Sequence, residues 1–398
     1  MIFKLGFKQF KNHLLSNIFI ILQMTVVFLL VIFMVSAILS RSKYYTPFKD
    51  VINQKGFFCD IDTGQIGNIE KLEGFKDIFV TYNTFILFDS EEEQEQSGNR
   101  SYFDIKAYDK NVLDRIKPTI SRGKWITESE SDEFIPAVII ENNYGFDVGD
   151  IIELPQEGKV WKIKITGVLA DDSYIFGHYS GGGFEPKHDF RDLYSIFNHK
   201  YYGNPLCPIV FMKLEDIKSM DMEYYISGSS LITFNNISDE TLKENRQILG
   251  KDNYLILGNE TIKTNSEKYI YQQIYLILPI IICIMVITLV SSISVSAISA
   301  KKQLKNYAIY YICGSKWKEC TLINLISSGI SSFISICISV ITIAITQSLG
   351  LLKETVLTFN LWHLLFILII LILYLGLSII MPIRIIGKTT PKNVLYSK

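Results

Sequence analysis

The residues of this chain that could do chemistry are few and scattered. His178, His188 and His199 fall close in sequence to Glu185 and Asp189. Imidazole with carboxylate is a donor set that zinc accepts. Their spacing, however, matches no HExxH-like ligand motif, and the expectation is no metal site. No GxSxG, CxxC or Walker A sequence occurs anywhere. A nucleophile elbow, a redox pair and a phosphate cradle are therefore all missing, and no catalytic residue is expected. Gly181-Gly182-Gly183 lacks the GxxxxGK(S/T) or GxGxxG surroundings and reads as a loop. Of the six cysteines, Cys283, Cys313, Cys320 and Cys337 lie in or beside apolar stretches. Cys59 and Cys207 lie elsewhere and could either pair or stand as two separate thiols.

One segment does have the pattern of a contact surface. Residues 301–318 predict a helix from about 301 to 313, closed by Gly314, which tolerates the left-handed conformation of a helix end. Leu304, Ala308 and Tyr311 share a face, while Lys301, Lys302 and Lys305 crowd the start. A tethered helix with apolar and aromatic side chains suggests docking to a partner. The alternative is an interfacial helix resting on lipid headgroups.

Four apolar stretches must position that segment: 18–39, 274–300, 322–349 and 361–382. About 20 such residues suffice for a helix to cross the hydrocarbon layer. The layout is one span, a long polar insertion, then three spans. Residues 41–270 carry 26 Lys and Arg against 38 Asp and Glu, whereas the rest of the chain carries 13 against 2. The basic residues sit beside the spans, at Lys4, Lys8 and Lys11, between Lys301 and Lys318, and from Arg384 to Lys398. The loop between the last two spans has only Lys353 and Glu354. The positive-inside rule then puts both termini and 301–318 in the cytoplasm, and the acidic insertion outside. A cleaved signal peptide is the rival reading of the first span, with Val35-Ser36-Ala37 as its cleavage site. The stretch is longer than the 7–15 residues of a signal core.

Residues 2–15 repeat Phe3, Phe7, Phe10 and Leu14 at helical spacing, with lysines one position on, as an amphipathic interfacial helix would. In the insertion, strands are expected at 78–88, 138–140, 151–154, 160–169 and 209–214. A strand, helix and strand follow at 231–234, 239–249 and 254–257, with Ser238 as the helix cap. The acidic run 91–96 reads as a solvated loop tip. Ser292, Ser296 and Ala300 recur every four residues in the second span, as do Ser328 and Ser332 in the third, followed by Ser335 and Ser339. Small residues let helices approach closely in lipid, so these read as packing stripes; a polar conduction path is the sharper alternative. No charged residue lies mid-span, which argues against a proton-coupled transporter. The richness in Ile, Lys, Asn and Tyr suggests an AT-rich bacterial genome.

Three stretches together resemble the MacB/FtsX-family permeases of the ABC superfamily. After the second span, Ile312-Cys313-Gly314-Ser315 with Lys316-Trp317-Lys318 is similar to the family's "LGAS"-like helix end. In the insertion, Gly123-Lys124-Trp125 leads to 136–141, then to the run Tyr144 to Asp150 and to Gly167-Val168-Leu169. The end resembles the family tail, with Met381-Pro382-Ile383-Arg384 and then Pro391 to Leu395. Where the family usually has Glu, eight residues before the glycine, this chain has Asn306. An ion pair made there to a partner would be absent or relocated.

The resemblance implies a membrane α-helical protein of four spans with a large α+β extracytoplasmic domain of two subdomains. The boundaries read as 1–16 amphipathic helix, 17–40 first span, 41–270 external domain (second lobe about 90–205) and 271–300 second span. They continue as 301–318 coupling helix, 319–349 third span, 350–360 external loop, 361–383 fourth span and 384–398 tail. It further implies a non-catalytic permease subunit, paired with an identical or different permease and docked on a cytoplasmic ABC ATPase. ATP and Mg would bind that ATPase, with no cofactor on this chain and no nucleic acid as partner. The docking residues would be Leu304, Lys305, Asn306, Tyr307, Ala308, Tyr311, Ile312, Gly314 and Lys316. The expected cargo is a peptide, lipopeptide or amphipathic antimicrobial at the outer face of a bacterial cell membrane. FtsX-like control of cell-wall hydrolases and an ATP-independent receptor are the alternatives.

Overall fold

The computed structural model describes residues 2–61, 66–87, 102–128, 134–140, 145–156, 159–170, 173–177, 187–197, 209–220, 228–251, 256–349 and 360–389. The expected acidic loop tip 91–96, the glycine run 181–183, Cys207, Lys353 and Glu354, and the tail from Thr390 lie outside these residues. The chain divides into two compact units: Met1–Arg41 with Ile270–Lys398, and Ser42–Tyr269.

The first unit is helical. Its elements are α1 (Ile2–Asn12), α2 (Leu14–Tyr45), α8 (Asn259–Ile312), α9 (Trp317–Ser348) and α10 (Leu361–Gly387). The last four include the described helices long and apolar enough to cross a membrane. Helices are what such sequences must form in hydrocarbon, because each backbone group is then bonded within its own segment. The second span and the segment expected as a separate coupling helix are one element, since α8 runs for 54 residues to Ile312 without a break. Pro279 lies inside it and Pro382 inside α10. Each lacks the amide that would bond one turn back, a loss that neighbouring helices make tolerable in lipid.

The second unit is α+β. Its strands are β1 (Gly56–Ile61), β2 (Phe75–Leu87), β3 (Tyr102–Tyr108), β4 (Ile120–Gly123), β5 (Ile135–Ile139) and β6 (Ile151–Gln156). They continue with β7 (Lys159–Leu169), β8 (Ser173–Phe176), β9 (Tyr194–Phe197), β10 (Ile209–Lys213), β11 (Gly228–Phe234) and β12 (Ile256–Gly258). Among the described residues ten strands make one mixed sheet, ordered β12-β1-β11-β2-β3-β10-β5-β7-β4 with β6 against β7. The pairs β3/β10 and β5/β7 are parallel and the others antiparallel. The two subdomains expected from the sequence are thus hydrogen-bonded to each other: β3 and β10, which bound the second lobe in sequence, are adjacent strands. Short helices α3 (Lys49–Ile52), α4 (Ile66–Ile69), α5 (Lys110–Arg115) and α6 (Leu214–Ser219), with α7 (Asp239–Leu249), complete the unit.

Alternation decides the core. Phe57 and Cys59 of β1, Ile105 and Ala107 of β3, and Val210 and Met212 of β10 all enter one apolar cluster. Successive strand residues point to opposite faces, so every second one goes there. The strand–helix–strand end of the insertion is present as β11, α7 and β12, and Ser238 Oγ accepts from Thr241 N at 3.0 Å.

Candidate functional site

The segment after the second span ends as its residue types require. Gly314 has φ +98°, Gly314 N donates to Tyr311 O (3.0 Å) and Ser315 N to Tyr310 O (2.9 Å). This pair of bonds is a Schellman end, which needs a left-handed residue at that position. Lys316 N then donates to the Glu319 carboxylate at 3.1 Å, opening α9. Across the turn Tyr311 stacks on Trp317, with centroids 4.7 Å apart and planes at 22°.

The expected docking residues do not form one surface. Tyr307 and Ala308 are wholly buried, and Leu304 packs beside them against Cys320, Ile323 and Ile386. A buried side chain cannot meet a partner, so Tyr307 and Ala308 belong to the unit's own core, and Leu304 is half-buried against it. What remains outward is Lys305, Asn306, Tyr311, Ile312, Gly314 and Lys316, with Ile309 added by its 48 % exposure. Ile312 is 65 % exposed.

The reason for the burial is α1. Gly6, Gln9 and Phe10 face inward on it, while Phe3 and Phe7 stay exposed together with the lysines. The helix therefore has two apolar edges, one against protein and one free. At Gly6 a Cβ would fall 2.5 Å from Ile326 Cγ2 and 3.2 Å from Ile323 O, so α1 touches α9 almost backbone to side chain. Gln9 sits at the centre of a buried polar cluster. Its Nε2 donates to Ser299 Oγ (2.9 Å) and to Asn324 Oδ1, and its Oε1 accepts from Tyr307 OH (3.1 Å). Burial raises the Tyr307 phenol well above its ordinary pKa, holding it as a donor. Sequence reading missed Gln9, Ser299 and Asn324. The only available signal was a polar residue on the apolar side of an amphipathic pattern.

The small residues of the spans lie as follows. Ser292, Ser296, Ala300, Ser332 and Ser335 are buried, and Ser328 is half-buried. Ser335 Oγ donates to Ile21 O at 3.1 Å and Ser339 Oγ to Thr25 O at 3.2 Å, so α9 meets the backbone of α2. Both hydroxyls also reach the carbonyl one turn back in α9, Ser331 O and Ser335 O. At the other end of α2, Ser36 Oγ lies 2.8 Å from His363 Nε2, while His363 Nδ1 accepts from Asn360 N at 3.1 Å.

With this geometry established, the chain can be set beside known proteins. No protein-family model matches it. No curated protein matches it either. Among solved structures it is similar to the extracellular domain of the noncanonic ABC-type transporter YknZ from Gram-positive bacteria. That likeness has 12 % identity over 48 % of this chain and 88 % of that one, with a TM-score of 0.26. It is also similar to the periplasmic region of MacB from Actinobacillus actinomycetemcomitans. There the identity is 10 % over 56 % of this chain and 98 % of that one, with a TM-score of 0.29.

In the sheet unit, two of the residues weighed as metal ligands, His188 and Asp189, are described. His178, Glu185 and His199 lie outside the described residues. Asp189 is 3 % exposed and is taken by Arg191, whose Nε and Nη2 approach it at 2.9 and 2.7 Å. The guanidinium in turn lies 3.8 Å over the ring of Tyr269. Phe190 N donates to Ser266 Oγ (2.8 Å), and the Phe190 ring meets Tyr45, Tyr194 and Tyr269. The turn 187–194 thus fastens the last residues of α2 to the first turns of α8. Cys59 is buried with its Sγ 3.2 Å from Ser230 Oγ.

Proposed function

We propose that this chain is the permease subunit of an ABC-type transporter. A separate cytoplasmic ATPase would dock on the exposed residues around Ile309, Tyr311, Ile312 and Lys316. Nucleotide and Mg belong to that ATPase, and two permease chains, identical or different, form the membrane part. Both termini face the cytoplasm in this reading, and Ser42–Tyr269 faces outward.

The observation that carries the reading is the unbroken α8. Its residues include the turns held by Phe190 and Arg191, the second span and the exposed aromatic end. The helix is continuous, with Pro279 as the one position that lacks its backbone bond, and motion at 309–312 would pass along it. Force transmission, rather than a route for cargo through the spans, is the mechanism that fits. Cargo of the peptide, lipopeptide or amphipathic antimicrobial type would be handled by the outward unit.

Co-purification tests this. Tyr311→Asp with Ile312→Asp should abolish recovery of an ATPase with the detergent-solubilised chain, while Lys159→Gln in β7 should not. An ATPase that co-purifies but hydrolyses ATP at the same rate with and without this subunit would refute the transporter role. Orientation is checked separately. A membrane-impermeant thiol reagent should label Cys313, which is exposed, only when the cytoplasmic face is open.

A further inference from the structure

Two sides of α1 do different things. Gly6 and Gln9 commit one edge to α8 and α9, and Phe10 is buried with them. Of the aromatic repeat, that leaves Phe3 and Phe7, 69 % and 45 % exposed. Lys4, Lys8 and Lys11 each follow a phenylalanine by one residue, a rotation of about 100° around the helix, and all three are exposed. The Lys11 ammonium lies 5.0 Å from the centre of the Phe7 ring, so the cations and the apolar edge are contiguous. No Asp or Glu occurs in α1, and outside 41–270 the chain has only Glu319 and Glu354.

What covers this edge follows from its continuation. Only His13 separates α1 from α2, and the joint is bonded across. His13 N donates to Gln9 O (3.3 Å), Asn17 N to His13 O (3.0 Å) and Asn17 Nδ2 to Phe10 O (2.8 Å). α2 is long and apolar enough to cross a membrane, and Leu15, Phe19 and Leu22 form an exposed stripe over its first turns. Such a stripe on a spanning helix faces lipid, so the free edge of α1 begins where the hydrocarbon layer ends. An acidic protein would match the lysines but not this continuity.

Charge decides which lipid. Two exposed rings are a small apolar area, because packing against α9 has taken the rest of the amphipathic face. A lysine beside an anionic bilayer contributes about fivefold in partition, and three contribute about a hundredfold. We propose that the free edge of α1 binds the headgroup layer of an anionic phospholipid bilayer. Phe3 and Phe7 sit at the top of the acyl chains, and Lys4, Lys8 and Lys11 meet the phosphates. Gln9, on the opposite edge, ties that contact to α8 and α9 through Ser299, Tyr307 and Asn324. No ATPase enters this contact, so its loss would leave the permease reading untouched.

The test uses the full-length chain with its native cysteines replaced and a nitrobenzoxadiazole label at Phe3→Cys. It is reconstituted in nanodiscs of phosphatidylcholine, alone or mixed equally with phosphatidylglycerol. Both carry the same trace of a phosphatidylcholine with a nitroxide near the top of its acyl chain. Quenching of the label should be at least threefold greater in the anionic discs. The variant K4Q/K8Q/K11Q should lose that difference, while K4R/K8R/K11R, which keeps the charge, should retain it. Equal quenching in the two lipids would mean apolar seating without charge selection, and quenching in neither would mean that water or protein covers the edge. Either result overturns the proposal, as does a K4Q/K8Q/K11Q protein that is quenched like the wild type.

Discussion

The indole of Trp317 lies against the ring of Tyr311, 4.7 Å between centroids, so the helices on either side of Gly314 present one aromatic surface. The turn that makes this possible has φ +98° at Gly314, with nothing within 4 Å of where a Cβ would stand. The space is open and only the backbone conformation resists a side chain. Gly314→Ala should therefore cost about 1–2 kcal/mol, read as a lowered unfolding midpoint of the helical unit. Trp317→Ala should cost about 0.5–1.5 kcal/mol for the lost stack and reduce ATPase recovery without abolishing it. An unchanged midpoint in Gly314→Ala would mean that the turn is not held in this form.

The close passage of α1 over α9 is testable with a buried thiol. Cys320 is 1 % exposed and lies in the cluster containing Tyr307, which Gln9 of α1 engages. In a chain retaining Cys320 as its only cysteine, maleimide should react slowly. Gly6→Leu places a large side chain where even a Cβ meets Ile326 at 2.5 Å, and should speed labelling at least tenfold. Equal rates in the two proteins would show that α1 does not cover this thiol.

The Asp189–Arg191 pair predicts an asymmetry. Removing Arg191 leaves a carboxylate at 3 % exposure without its counter-charge, a loss of about 3–5 kcal/mol for a buried pair. Arg191 itself is one-third exposed and can be rehydrated, so Asp189→Asn should cost less than Arg191→Met. The double change should recover part of the loss. Hydrogen exchange at the β8 and β9 amides of the full chain reads all three, and additive losses would refute the coupling.

A pH window follows from Lys106, which is 1 % exposed on β3. Burial pushes its pKa down from 10.5 to about 8, with Asp104 opposing the shift. Between these values the unfolded chain holds a proton that the folded one has lost, so stability rises with pH from about 8 to 10.5. Below pH 8 the whole penalty is present, on the order of 3 kcal/mol. Exchange protection of β3 should strengthen across that window in the wild type, and Lys106→Met should flatten the rise. A slope that survives the substitution would assign the titration elsewhere.

Much of this architecture was legible in the residues. The apolar runs were long enough to dictate helices, while the alternation in 160–169 and the short apolar run 209–214 marked strands. Gly314 and Ser238 marked helix ends because each supplies something specific, a left-handed backbone or a side-chain acceptor. The contact surface was read less well. Helical spacing put Leu304, Ala308 and Tyr311 on one face, but spacing cannot say which faces another helix of the same chain will cover. Gln9 and Asn324 were invisible for the same reason, being 315 residues apart in sequence.

By itself, then, the sequence determined what depends on local and average properties: four helices from apolar length, an α+β insertion from periodicity, and opposite charge in the two parts from composition. Only the tertiary structure decided what depends on pairs of distant residues. It joined β3 to β10 and so made one sheet of two expected lobes. It turned Tyr307 inward to Gln9, committed Asp189 to Arg191, and gave α1 one buried edge and one free. Burial and partnership are properties of a meeting between segments, and no segment carries them alone.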